Sequence, residues 1–354
     1  MTLKQFSLGA TLAILMALTG CSETERKNTM EDKSPNMLAG TVQAIAYSGF
    51  RVGQHPDRGY GENNPSEEEI LEDLQILLRD DNFTLIRMYD CGQNTRDVLS
   101  VIKANNLNMK VMLGAWLAAE FSNHEGCEWL TEPIPEEVLA ANRIKNQKEI
   151  KEAIRLANQY KDIIVAVNVG NEALVSWNDH MVPVEAVIAY VRQVKNSIDQ
   201  QVTVNDAHEW WFKDGKELAE EVDFLGVHCY PAWEGKSIDE ALAFTIARID
   251  SVRKALPGKP LMLTEAGWAT TAIEFGERAS EPNQKRYYNE LMSWAEKNEM
   301  TVFFFEAFDE PWKGNPNNPL GAEKHWGIFT VDRKAKLVMH EKYPDLVPAV
   351  KATK

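Results

Sequence analysis

Eight short apolar runs recur between residues 42 and 308: VQAIAYSGF (42–50), FTLIRMYD (83–90), MKVMLGAW (109–116), IIVAVNVG (163–170), VTVND (202–206), VDFLGVHCY (222–230), PLMLTEAGW (260–268) and TVFFFEAF (301–308). Their length and β-branched content read as strands, and near-continuous apolarity is what a strand covered on both faces requires. Amphipathic segments lie between them, such as SEEEILEDLQILLRD (66–80) and SIDEALAFTIARIDSVRKAL (237–256). Ser66 and Glu69 have the spacing of a capping box at a helix start. Eight such strand–helix units predict an α/β chain folded as a single (β/α)8 barrel. A doubly wound dinucleotide-binding sheet is disfavoured, because no GxGxxG follows the first run.

The residues before the first run belong to a different regime. Lys4 precedes FSLGATLAILMALTG, which is too short to span a bilayer as an ordinary helix and ends in small residues. Residues 1–20 read as a secretory signal, and Leu18, Thr19, Gly20 and Cys21 match a bacterial lipobox, making Cys21 the expected lipidation site. Residues 22–40 are polar and aperiodic, so residues 21–40 are expected to form a flexible tether and residues 41–354 the barrel. The expected location is across the inner membrane, lipid-anchored at the outer membrane or cell surface. Ser22, in place of an inner-membrane retention aspartate, favours that side.

A formal net charge of −15 disfavours nucleic acid and other polyanions as partners and leaves neutral ligands open. Beyond Cys21 there are Cys91, Cys127 and Cys229, without CxxC spacing, so at most one disulfide can form. The seven histidines make no HExxH and no zinc-like spacing with cysteine. No metal and no cofactor are expected.

Barrels of this class carry their chemistry at the C-terminal strand ends. Glu172 lies there in IIVAVNVGNEAL, and Glu265 in PLMLTEAGWAT. Two carboxylates suit glycoside hydrolysis, one protonated to assist the leaving oxygen and one ionised to attack carbon or activate water. Aromatic residues crowd the same ends, including Trp116, Trp210, Trp211, Trp233 and Trp312, and such rings stack on the C–H faces of sugars. Spacing alone does not choose the pair: Asp90, Asp206, Glu209, Glu306, Asp309 and Glu310 also sit near strand ends.

VGNE around Glu172, LTEAGW around Glu265 and FFFEAFDEPWK (303–313) resemble glycoside hydrolase family 17, the β-1,3-glucanase and glucanosyltransferase family. YSGFR (47–51), IRMYD (86–90), YP (230–231) and HWGIF (325–329) extend the resemblance over the whole domain. It implies retention of anomeric configuration, Glu172 as acid/base and Glu265 as nucleophile. It further implies Asn171 on the sugar hydroxyl beside the reacting carbon, with Arg87 and Tyr230 orienting the nucleophile. Tyr47, Tyr89, Asp90, Trp268, Glu306, Phe308 and Lys313 are expected to line the cleft. Two features depart from the pattern: His228, where asparagine is expected, and the loop with Cys127 and Trp129. The resulting expectation is a monomeric, lipid-anchored, retaining endo-β-1,3-glucanase acting on neutral, laminarin-like β-glucan. A glucanosyltransferase is the alternative within the enzyme class, and a non-catalytic glycan-binding lipoprotein the alternative outside it.

Overall fold

Successive residues of a strand point to opposite faces, and this alternation places a cation at the centre of the protein. In the second strand Leu85 faces the barrel interior, Ile86 packs outward with the helices, and Arg87 returns to the interior with no exposed surface. The computed structural model describes residues 37–40, 42–57 and 59–349. The signal, lipidation and most of the tether expected for residues 1–40 lie outside the described residues.

The strands are β1 (Ala44–Ala46), β2 (Leu85–Arg87), β3 (Lys110–Ala115), β4 (Ile164–Asn171), β5 (Gln201–Ala207), β6 (Leu225–His228), β7 (Leu261–Gly267) and β8 (Val302–Phe305). Each pairs in parallel with the next, and β8 pairs with β1, so the sheet closes as the (β/α)8 barrel that the eight runs predict. All eight strands fall inside the predicted runs or within one residue of them. The structure ends several of them earlier, because the last residues of each run turn into the loops that carry the site.

The covering helices are α1 (Glu67–Leu78), α2 (Gln93–Ala104), α3 (Glu136–Gln159), α4 (Val184–Lys195), α5 (His208–Asp214), α6 (Lys216–Glu221), α7 (Ile238–Ala255) and α8 (Glu281–Lys297). Helix α1 starts as the capping box predicts: Glu69 N–H donates to Ser66 Oγ at 3.2 Å and Ser66 N–H to Glu69 Oε2 at 2.9 Å. Ser237 and Glu240 repeat the device at α7. Among the described residues no helix is long and apolar enough to cross a membrane.

The interior is filled in layers. Ala44, Leu85, Met112, Ala166, Phe224, Met262 and Phe303 form an apolar plug. The inward positions further along the strands are polar: Asn168, Thr203, Asn205, His228 and Thr264 are all buried. Such groups are tolerated inside only when paired, so this upper layer is built as a hydrogen-bonded network. Cys91, Cys127 and Cys229 are each buried and free. Burial raises the thiol of Cys229 to about 12, which keeps it protonated and inert.

Candidate active site

Strict alternation would turn Glu265 outward. Met262 and Thr264 share the inward face of β7, while Leu263 and Ala266 pack with the outer core. The register with β8 shifts between Leu263 and Ala266, and this irregularity turns the Glu265 side chain into the mouth. Strand β4 does the same: its register with β5 shifts between Asn168 and Asn171. There Gly170 has φ +85°, a conformation that favours glycine, and Glu172 follows with φ +49°. A non-glycine residue in that region costs about 1–3 kcal/mol, which fits a strained residue at a functional site.

The two glutamates approach closely. Carboxylate oxygens of Glu172 and Glu265 and a ring nitrogen of His228 all lie within 4.8 Å of one another. Glu265 is 4% exposed, whereas the Glu172 side chain is 17% exposed and therefore reachable from the cleft. Arg87 forms an ion pair through Nη1 with Glu265 Oε1, and the same nitrogen donates to Thr264 O at 3.2 Å. Tyr89 donates to Glu265 Oε1 at 3.0 Å and Tyr230 to Oε2 at 2.5 Å. Burial favours the protonated acid, but the His228 Nδ1–H facing it, the Arg87 guanidinium and the Tyr230 hydrogen bond outweigh it. Together they hold the Glu265 carboxyl well below the usual carboxylate range.

The remaining donors of Arg87 are also used. Nη2 bonds Asn171 Oδ1, and the Asn205 amide, turned so that its oxygen faces the guanidinium, accepts from Nε at 2.8 Å and Nη2 at 3.1 Å. Gly226 makes room for that amide, since a Cβ there would lie 1.9 Å from the amide atom turned away from the guanidinium. Arg87 therefore braces the carboxylate of Glu265 and the amide of Asn171 from below. Arg87→Met should destabilise the fold by about 3–5 kcal/mol, the cost of leaving a buried charge unpaired. The sign of the pH effect follows from the lowered folded pKa. Stability from ionised Glu265 is present above about pH 4.3, the ordinary glutamate value, and is lost as pH falls through the lowered folded value. Losing Arg87 raises that folded value, so the acid limb of kcat/KM moves to higher pH. Denaturant titration and a pH–rate profile check both; unchanged stability with an unmoved acid limb would contradict the bracing role.

Just past the end of β8, beside β7, Lys313 Nζ pairs with Glu306 Oε2 and with Glu310 Oε2, the latter at 2.8 Å. Burial pushes the Glu306 carboxyl up against the opposing pull of Lys313, and its Oε1 is buried without a hydrogen-bond partner among the described residues. Glu310 is occupied by Ser48 Oγ at 2.7 Å and Phe50 N–H at 3.2 Å.

Several expected cleft residues are placed elsewhere. Tyr47 is buried beneath the site, donating to Asp73 Oδ2 at 3.2 Å within a cluster that includes the Asp73–Arg333 ion pair. Phe308 is buried between Tyr47 and Phe329, with the Arg333 guanidinium 4.4 Å from its ring centre. Trp268 has no exposed surface and donates to Arg278 O at 2.8 Å. These three aromatics fill the space between strand ends and loops instead of facing the cleft. Asp90 accepts from Gly92 N–H at 2.7 Å, a local turn cap at the start of α2. Of the other carboxylates, Asp206 is buried and accepts from Leu174 N–H, Asp309 pairs with Lys336 at 2.7 Å, and Glu209 is exposed on α5.

Sequence reasoning passed over the roles of His228 and Asn205, and the position of Trp177. His228 Nδ1 is 2.9 Å from Glu172 Oε1, and its place could be read from the parity it shares with Tyr230. Trp177, 44% exposed, lies in the loop leaving Glu172, which Asn123 fastens by donating to Ser176 O. Trp233, 48% exposed, packs on Phe275 with ring centres 4.6 Å apart.

Among the described residues, two groups of side chains have metal-ligand proximity. Glu172, His228 and Glu265 are one, but Arg87 already supplies the positive charge there, which opposes a cation. His208, Glu209 and Glu234 are the other, with Lys213 3.7 Å from Glu209.

A (β/α)8 barrel that brings two carboxylates together at its strand ends, one ionised and one open to the cleft, has the architecture of a glycosidase. The family model of the BtgE/BtgC glycoside hydrolase domain matches residues 44–327, and the chain belongs to that family. It is 25% identical over 318 residues to a glucan 1,3-beta-glucosidase of Arthroderma benhamiae, covering 83% of this chain and 91% of that protein. It also matches the longer btgC protein of Aspergillus niger, of which it spans 40%. The crystal structure of an endo-laminarinase from Formosa Hel1_33_131 superposes with a TM-score of 0.75 at 28% identity, covering 87% of this chain and 88% of that one. A glycoside hydrolase family 17 beta-1,3-glucanosyltransferase from Rhizomucor miehei shares the fold, with a TM-score of 0.63 at 24% identity over 85% of this chain and 97% of its own.

Proposed function

We propose that this chain is a retaining endo-β-1,3-glucanase of glycoside hydrolase family 17, acting on laminarin-like glucan with Glu265 as nucleophile and Glu172 as acid/base. The observation that carries the reading is the approach of the two carboxylates, whose oxygens lie within 4.8 Å. Retaining glycosidases hold their carboxyls about 5–5.5 Å apart, whereas inverting ones need roughly 6.5–9.5 Å to admit a water. The endo-laminarinase and glucan 1,3-beta-glucosidase similarities support the substrate class.

Glu265, ionised by Arg87, Tyr89 and Tyr230, attacks the anomeric carbon as Glu172 gives its proton to the departing glycosidic oxygen. The carbon–oxygen bond to the leaving chain breaks and an ester to Glu265 forms. Glu172, now a carboxylate, takes a proton from water, and the resulting attack releases the sugar with its original configuration. Asn171, fixed through its oxygen by Arg87, turns its amide N–H2 toward the sugar side, where it can donate to the hydroxyl next to the reacting carbon and hold the ring in the geometry of the transition state.

Product analysis on laminarin over time tests the reading. Mixed short oligosaccharides should appear early. Products longer than an added oligosaccharide would instead identify a glucanosyltransferase, and binding without release of reducing ends a non-catalytic lectin-like protein. The proposal includes anchoring through a lipid on Cys21 at the outer membrane or cell surface, which the Leu18–Cys21 lipobox supports. Radiolabelled fatty acid should enter the wild-type chain and not Cys21→Ser; label in both would refute it.

A further inference from the structure

We propose that His228 is a positioning residue that determines which oxygen of Glu172 carries the transferable proton; the inference rests on Glu172 being the acid/base. The argument begins with the other face of the ring. His228 Nε2 lies 3.4 Å from Arg87 Nη1. A guanidinium offers only donors, so Nε2 presents its lone pair and the ring proton sits on Nδ1. Nδ1 is 2.9 Å from Glu172 Oε1 and 3.5 Å from Glu265 Oε2. The imidazole is 2% exposed and projects from the end of β6, so it has little freedom to leave this geometry.

A donor aimed at Glu172 Oε1 stabilises electron density on that oxygen and leaves Oε2 as the site of the proton. The same N–H suits both halves of the reaction. Before attack the negative charge resides on Glu265; after the ester forms and the proton has gone to the leaving oxygen, it resides on Glu172. His228 Nδ1–H lies within reach of both carboxylates, and its contact with Glu172 strengthens when that group becomes charged. Glu172 is thus held in one rotamer through both steps, which the backbone strain at φ +49° would not secure alone.

Two substitutions separate positioning from bulk. Asparagine places its Nδ2 where the imidazole has Nδ1, so His228→Asn keeps a donor toward Glu172, whereas His228→Leu fills the space without one. The readout is kcat/KM on laminarin, whose leaving group needs protonation, and on 2,4-dinitrophenyl β-laminaribioside, whose leaving group does not. His228→Leu should lose about 30-fold or more on laminarin, a share of the 10²–10⁴ that general acid catalysis supplies, and under about fivefold on the aryl substrate. His228→Asn should recover most of the laminarin activity. Added to Glu172→Ala, His228→Leu should cost under about threefold more, because residues acting through one another are not additive. Equal losses on both substrates, no recovery with asparagine, or full additivity with Glu172→Ala would each overturn the proposal. Wild-type rates on laminarin test the underlying glucanase reading, while ratios of variant to wild type test His228.

Discussion

Glu265→Ala is expected to lower laminarin turnover by about 10⁵-fold or more, and to do so equally for substrates with poor and good leaving groups. The magnitude is that of removing a covalent nucleophile, whose loss abolishes the two-step route instead of slowing one part of it. The neighbouring groups Tyr89, Tyr230 and Asp206 cannot substitute. Tyr89 and Tyr230 are held protonated by burial and by the Glu265 charge, and Asp206 is buried away from the cleft. The fold should survive at a cost of about 3–5 kcal/mol for leaving the buried Arg87 charge without its anion, because Arg87 keeps Asn171, Asn205 and Thr264 O as acceptors. Circular dichroism alongside the assay separates loss of chemistry from loss of structure. Residual laminarinase activity above about 1% in a folded Glu265→Ala variant would remove Glu265 from the nucleophile role.

Glu172→Ala is expected to divide substrates by their leaving groups. On laminarin kcat/KM should fall by about 10²–10⁴, the range general acid catalysis contributes, because the departing sugar oxygen needs a proton. On a dinitrophenyl glycoside kcat/KM should change little, since the phenolate leaves unassisted. The glycosyl-enzyme then accumulates for want of a base, so the aryl substrate gives a burst followed by slow turnover. Stopped-flow release of dinitrophenol measures both phases. Equal loss on the two substrates, with no burst, would contradict the acid/base assignment.

The barrel was legible because eight apolar runs with helical segments between them satisfy the burial needs of an all-parallel closed sheet, and the Ser66–Glu69 box marked a helix start to the residue. The glutamates could be located at strand ends, but not their facing. Parity counted from Met262 sends Glu265 outward, and only the register shift toward β8, set by the neighbouring strand, turns it in. Arg87 and Tyr89 were more readable, since Leu85, Arg87 and Tyr89 share one parity. The aromatics were less so. Tyr47, Trp268 and Phe308 have the composition of a sugar platform and are core, because the rings that close the space under long loops are the same residue types that stack on sugars. His228 stood out only as a departure from a family pattern; its contact with two carboxylates needs the packing of β6 between β5 and β7.

The central claim, two carboxylates with distinct roles in a double displacement, is tested most directly by the configuration of the azide product from each variant. In Glu172→Ala, azide attacks the glycosyl-enzyme from the β face without needing a base, so two inversions give the β-glycosyl azide. In Glu265→Ala, azide enters the space the carboxylate vacated and attacks from the α face, so one inversion gives the α-glycosyl azide. Proton NMR of the anomeric signal distinguishes them by coupling constant. A β-azide from Glu172→Ala and an α-azide from Glu265→Ala are the predicted results; the same anomer from both variants, or the two reversed, would contradict the account.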